Sequence, residues 1–121
     1  MIPLLIVDDE SIIRETIAAM VRRKYPEQFH IFLASNGQEA LSLVASESVE
    51  LVLADIKMPV MDGIEALKEI RRHTAELPVI MQTAYAFDTD RRTAEEAGCN
   101  GFITKPVMPR ELKMYLDKYL K

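Results

Sequence analysis

The sequence predicts an α/β fold: a five-stranded parallel sheet with helices on both faces. Three observations carry this expectation. Short apolar runs alternate five times with longer segments of helical periodicity, the pattern of successive βα units. Runs such as LLIV and LVLA are apolar throughout, as in strands covered on both faces. Helix-ending and turn-forming residues, Tyr25-Pro26, Ser35-Asn36-Gly37 and Gly98 among them, fall between the segments.

The elements follow in order. Residues 4–7 (LLIV) are the first predicted strand, followed at once by Asp8, Asp9 and Glu10. Ile13, Ile17, Met20 and Val21 recur at helical spacing until Tyr25-Pro26 stops the helix, whose end carries Arg22-Arg23-Lys24 where cations suit the dipole. Phe29–Ala34 is the second strand. After the Ser35-Asn36-Gly37 turn, Ala40, Leu41 and Val44 mark the second helix, and residues 51–54 (LVLA) the third strand. Pro59 and Gly63 bracket a loop before a helix marked by Ile64, Leu67 and Ile70. Pro78 precedes the fourth strand at residues 79–82. A helix is predicted over about 88–97, begun by acidic and hydroxyl caps and ended by a left-handed Gly98. Gly101–Thr104 is the fifth strand, and Met108, Leu112, Tyr115, Leu116 and Tyr119 share one face of the last helix.

The totals narrow the function classes. A chain of 121 residues, 49% hydrophobic and 28% charged, suits one domain over residues 1–121. The formal net charge of −4 gives no bulk electrostatic reason for direct nucleic-acid binding. No apolar run is long enough to cross a bilayer, and Met1-Ile2-Pro3 running straight into a strand and acids is not a secretion signal. Cys99 is the single cysteine, so no internal disulfide is expected, which fits a cytoplasmic setting. His30 and His73 show no metal-ligand spacing. Met58 and Met61 read as packing and loop anchors.

Right-handed crossovers put the C-terminal ends of parallel strands on one edge, where open α/β sheets hold their sites. On that edge the sequence supplies Asp8, Asp9 and Glu10, then Asp55, then Thr83, then Lys105. If the sheet order is 2-1-3-4-5, the first strand lies beside the third, and Asp8, Asp9 and Asp55 converge. Crowded carboxylates repel one another and a divalent cation relieves the repulsion. All-oxygen ligands suit Mg²⁺, or Mn²⁺, better than Zn²⁺. Magnesium favours phosphate oxygens, and Lys105 and Thr83 supply a fixed cation and a hydroxyl suited to the same group. Asp55, alone at its strand end, is the candidate nucleophile that becomes an acyl phosphate.

At this point the sequence resembles the receiver domains of two-component response regulators. The motifs are VDDE (residues 7–10), LVLADIKMPVMDG (51–63), PVIMQTA (78–84) and AGCNGFITKP (97–106), which together span almost the whole chain. The resemblance implies a flavodoxin-like doubly wound sheet of order 2-1-3-4-5. It implies Asp55 as phosphoacceptor, Asp9 and Asp8 at the metal, and the Lys57 carbonyl as a further ligand beside Asp55. Thr83 and Phe102 would be the switch residues, and Lys105 would pair with the phosphoryl group. Lys57 and Tyr85 would tune the phosphate lifetime, with Tyr85 shielding it from water. The Lys105–Pro106 bond would be cis. A histidine kinase or histidine phosphotransfer protein would be the donor, and the domain would catalyse its own phosphorylation and dephosphorylation. A phosphorylation-dependent homodimer through the fourth helix, fifth strand and fifth helix belongs to the same picture.

Two other classes fit less well. A phosphohydrolase with an Asp nucleophile usually has a second Asp two residues later, where this chain has Lys57. A receiver-fold interaction module without phosphotransfer usually lacks one of the acidic or Lys positions, and all are present here.

Overall fold

The alternating pattern becomes β1 (Ile2–Val7), α1 (Ser11–Lys24), β2 (Phe29–Ala34), α2 (Gly37–Ser46), β3 (Leu51–Asp55), α3 (Gly63–His73), β4 (Val79–Thr83), α4 (Asp88–Glu96), β5 (Gly101–Thr104) and α5 (Pro109–Tyr119). The structure is a computed structural model and describes residues 1–58, 60–84 and 88–120. Every strand pair is parallel and the order is β2-β1-β3-β4-β5. This is the order implied by the resemblance.

Composition sorts the strands between centre and edge. Every residue of β3 and of β4 is buried. The edge strand β2 exposes His30, and the other edge strand, β5, is buried only at Ile103. Along each strand the side chains alternate between two cores. Leu4, Ile6, Leu51, Leu53, Ile80 and Ile103 pack with Ile17 and Val21 of α1 and Leu112 and Leu116 of α5. Leu5, Val7, Val52, Ala54, Val79 and Met81 pack with Ala40 of α2, Leu67 and Ile70 of α3 and Ala94 of α4. The crossovers therefore leave α1 and α5 on one face and α2, α3 and α4 on the other.

Several predicted boundaries shift, each for a hydrogen-bonding reason. β1 begins at Ile2, whose N–H donates to the Gln28 carbonyl at 2.8 Å, while the Pro3 carbonyl accepts from the Glu50 N–H at 2.9 Å. Pro3 has no N–H to offer, yet its carbonyl still joins the ladder. β3 and β4 each run one residue further than the apolar pattern, so Asp55 and Thr83 are the last strand residues rather than the first loop residues. The ladder extends because Ile56 N–H donates to Gln82 O at 2.9 Å and Lys105 N–H to Thr83 O at 2.7 Å. Two turns hold helix caps: Asn36 and Asp62 each accept, through the side chain, a backbone N–H three residues on, at 2.9 Å. Met108 is a correction to the predicted α5 face. It precedes Pro109 as the cap residue and is 51% exposed, so its side chain is not part of the apolar stripe. Gly98 adopts φ +98° after α4, as expected.

A clamp that the apolar pattern does not reveal holds the opposite edge of the sheet. Arg71 of α3 donates to Gly98 O at 3.0 Å and to Asn100 Oδ1 at 2.7 Å, and the same Oδ1 accepts from Val79 N–H at 2.9 Å. One side chain thereby ties α3 to the starts of β4 and β5. No helix among the described residues is long and apolar enough to cross a membrane.

Candidate functional site

The site follows from register. Val7 pairs with Ala54, Asp55 with Gln82, and Gln82 with Ile103. Asp8, one residue beyond Val7, therefore sits level with Asp55. Strand alternation puts Asp8, Asp55 and Lys105 on the α1/α5 side of the sheet at its C-terminal edge.

Asp8 is fully buried, and each of its polar atoms has a partner. Its N–H prolongs the β1–β2 ladder to Ala34 O at 3.1 Å, and its carbonyl accepts from Arg14 of α1 at 2.7 Å. Oδ1 accepts the Glu10 N–H at 2.9 Å, and Oδ2 accepts Lys105 Nζ at 2.8 Å. Asp55 is 4% exposed and meets the same ammonium at 3.2 Å through Oδ2. Lys105 thus bridges two buried carboxylates, with only 10% of its side chain exposed. It is held there by its backbone bond to Thr83 and precedes a cis bond to Pro106. The close approach of α3 requires Gly63. A Cβ there would lie 2.0 Å from the Asp55 carbonyl oxygen, so any side chain would push the backbone of Asp55.

The electrostatics are uneven. Burial pushes the Asp55 carboxyl up to about 6 from 3.8; Lys105 opposes the rise, and the charges of Asp8 and Asp9 add to it. Burial works against the Lys105 ammonium, yet its hydrogen bond to Asp8 and its attraction to Asp55 and Asp8 leave it above the usual lysine range. A buried ammonium thus faces a carboxyl group whose titration burial has moved up toward neutral pH.

Asp9 and Glu10 are exposed at the mouth, and one carboxylate oxygen from each of Asp8, Asp9 and Glu10 lies within 4.8 Å of the others. An all-oxygen group of this size, with one member buried and the others open to water, fits a hard divalent cation. The sequence grouped Asp8 and Asp9 with Asp55. The structure joins Asp55 to Asp8 through Lys105, and clusters Asp8 and Asp9 with Glu10.

The remaining predicted residues lie around this centre. Lys57 follows β3, and its exposed side chain reaches to 3.9 Å from Asp90 of α4. Thr83 is fully buried and follows Met81 along β4, so alternation puts it on the α2–α4 side of the sheet. Phe102 is half-buried on that same side, as the register partner of Met81. The Arg91 guanidinium stands over its ring, 5.5 Å from the centroid, and the Tyr115 hydroxyl accepts its backbone N–H at 3.3 Å. Thr83 and Phe102 thus lie on the same side of adjacent strands, Phe102 under Arg91 of α4. Tyr85 lies outside the described residues.

Sequence reasoning passed over Gln82 and Arg14, and took Gly63 only as a loop boundary. Arg14 carries no local signal, because its contact is to a backbone atom of another element. Gln82 did carry one, as the single polar residue inside the run VIMQ.

Residues 4–117 match the family model of the response regulator receiver domain. The chain belongs to the response regulator receiver family. The receiver is 38% identical to the transcriptional regulatory protein SrrA of Staphylococcus aureus, over 98% of this chain and 47% of that protein. It spans about half the length of the curated relatives it matches. Among solved structures it is similar to the receiver domain of a Saccharomyces cerevisiae response regulator, co-crystallised with the histidine phosphotransfer signalling protein of that yeast. The identity is 30% and the TM-score 0.87, covering 98% of this chain and 88% of that one. It is also similar to the receiver domain of a Pseudomonas aeruginosa sensor histidine kinase, solved with magnesium coordinated in the active-site cleft. Here the identity is 29% and the TM-score 0.86, covering 97% of this chain and 95% of that one.

Proposed function

We propose that this receiver takes a phosphoryl group from a histidine kinase or histidine phosphotransfer protein onto Asp55, and passes on the signal by changing shape. The observation that carries the reading is the Lys105 ammonium, 2.8 Å from Asp8 and 3.2 Å from Asp55 in a crevice at the strand edge. A carboxylate oxygen of Asp55 attacks phosphorus. The bond from phosphorus to the donor's imidazole nitrogen breaks, and its electron pair stays with that nitrogen. Lys105, already 3.2 Å from Asp55, would turn toward the incoming phosphoryl oxygens and offset charge in the in-line transition state. Asp8, Asp9 and Asp55, with the Lys57 carbonyl as a further ligand and Glu10 at the mouth, would hold Mg²⁺, or Mn²⁺. The metal, when bound, neutralises phosphoryl charge. The Pseudomonas aeruginosa relative with magnesium in its cleft supports that assignment. The yeast relative bound to a phosphotransfer protein supports the choice of donor.

Thr83 is the hydroxyl that moves onto the phosphoryl group, and Phe102 is the aromatic that responds, shifting the surface of α4, β5 and α5 toward a second population. That surface is where a phosphorylation-dependent homodimer would form. Lys57 and Tyr85 tune access of water to the acyl phosphate. Residues 1–121 act as one receiver unit, and a relay of this kind, with Cys99 the single cysteine, fits the cytoplasm.

The test is incubation with Mg²⁺ and acetyl phosphate, followed by intact mass under acidic work-up, with Asp55→Asn run beside it. One added phosphoryl group, dependent on the metal and absent in the variant, is the expected result. If the wild type shows neither added mass nor release of inorganic phosphate from the donor, the reading fails.

A further inference from the structure

Gln82 is the odd residue of β4. It is 2% exposed, and its side-chain Nε2 has no hydrogen-bond partner among the described residues. Buried amide donors are rarely left so, because folding strips them of water without return. Alternation along β4 puts Gln82 two residues above Ile80, on the α1/α5 side. Its register partner on β3 is Asp55 and its register partner on β5 is Ile103. The Ile103 side chain offers no acceptor, whereas the Asp55 carboxyl group does. Lys105 occupies Oδ2 of Asp55 at 3.2 Å, and a carboxylate has room for further donors.

From these observations we propose that Gln82 is a further catalytic residue of this site, donating from Nε2 to the carboxyl group of Asp55 in the phosphorylated state. The inference rests on Asp55 being the phosphoacceptor. Its consequence concerns the loss of phosphate. Hydrolysis breaks the bond between phosphorus and the Asp55 oxygen, water supplies the new oxygen on phosphorus, and the electron pair returns to the carboxylate. A donor binds the departing carboxylate more strongly than the neutral acyl carbonyl, so it lowers the barrier to this step. Gln82 thus shortens the life of the phosphorylated state, acting from inside the sheet rather than from the solvent side.

Methionine matches glutamine in shape and has no N–H. The experiment phosphorylates wild type, Gln82→Met and Gln82→Leu with acetyl phosphate and Mg²⁺, removes the donor, and follows the first-order loss of the phosphoryl group by intact mass. The expected result is a phosphate lifetime about three- to tenfold longer in both variants, the range that one hydrogen bond of ordinary strength supports. In parallel, ¹⁵N spectra of the wild type should show a side-chain amide pair, absent in Gln82→Met, that shifts on phosphorylation. A residue that merely fills the core leaves the phosphate lifetime the same in wild type and both variants. Unchanged lifetimes with an unmoved amide pair overturn the inference and leave the acceptor reading standing. A wild type that takes up no phosphoryl group overturns both.

Discussion

Replacing Asp55 by asparagine is expected to stabilise the metal-free protein at neutral pH. The unfolded carboxyl titrates near 3.8 and the folded one is pushed up to about 6, chiefly by burial. Folding therefore takes up a proton between these values. The stability associated with the group is whole below about pH 4 and is lost as pH rises through about 6. At about 1.4 kcal/mol per pH unit, the loss comes to about 3 kcal/mol by pH 8. Asparagine resembles the neutral acid and has no such loss. In chelator, urea denaturation of wild type and Asp55→Asn at intervals from pH 4 to pH 8 should give a gap of about 2–3 kcal/mol in favour of the variant at pH 8, closing as pH falls through 6. Mg²⁺ should narrow the gap at pH 8 by stabilising the wild type more. A variant equal to or less stable than wild type at pH 8 would refute the reasoning. It would mean that the Lys105–Asp55 attraction outweighs the burial of Asp55.

Removing the cation should act oppositely: Lys105→Ala leaves buried Asp8 facing Asp55 and is expected to cost about 3 kcal/mol at pH 8, less below pH 6 where Asp55 is protonated, as read by the same denaturation series. Gly63→Ala, whose Cβ would lie 2.0 Å from the Asp55 carbonyl, should cost about 3 kcal/mol and also slow phosphorylation, whereas a simple loss of helix packing would leave the rate at low temperature unchanged. Asn100→Ala should cost about 1–3 kcal/mol by orphaning Val79 N–H and loosening Arg71, with phosphorylation by acetyl phosphate untouched.

The fold was legible because its strands differ in kind from its helices. Runs as dense as LLIV and LVLA fit strands of a sheet covered on both faces, and the helical periodicity between them supplies the crossovers. The ends of β3 and β4 were misplaced by one residue because Asp55 and Thr83 are polar. Hydrogen-bond ladders end where partners end, not where hydrophobicity does. Met108 was assigned to the α5 face by spacing, but Pro109 begins the helix after it, and the periodic series does not extend past that point. The Asn100–Arg71 clamp left no periodic trace, since a polar group bonding to backbone obeys no repeat.

The sequence alone determined which residue types reach the C-terminal edge of the sheet. The apolar runs locate each strand's end to within a residue, so Asp8, Asp55, Thr83 and Lys105 were bound to lie on one rim once the sheet was parallel. Only tertiary structure decided which of them touch. Register placed Asp8 and Asp55 on one face, and a single ammonium between them. It also set Gln82 level with Asp55 on the neighbouring strand. These relations join residues tens of positions apart. They depend on how strands slide past one another, which the packing of two cores settles and no local pattern records.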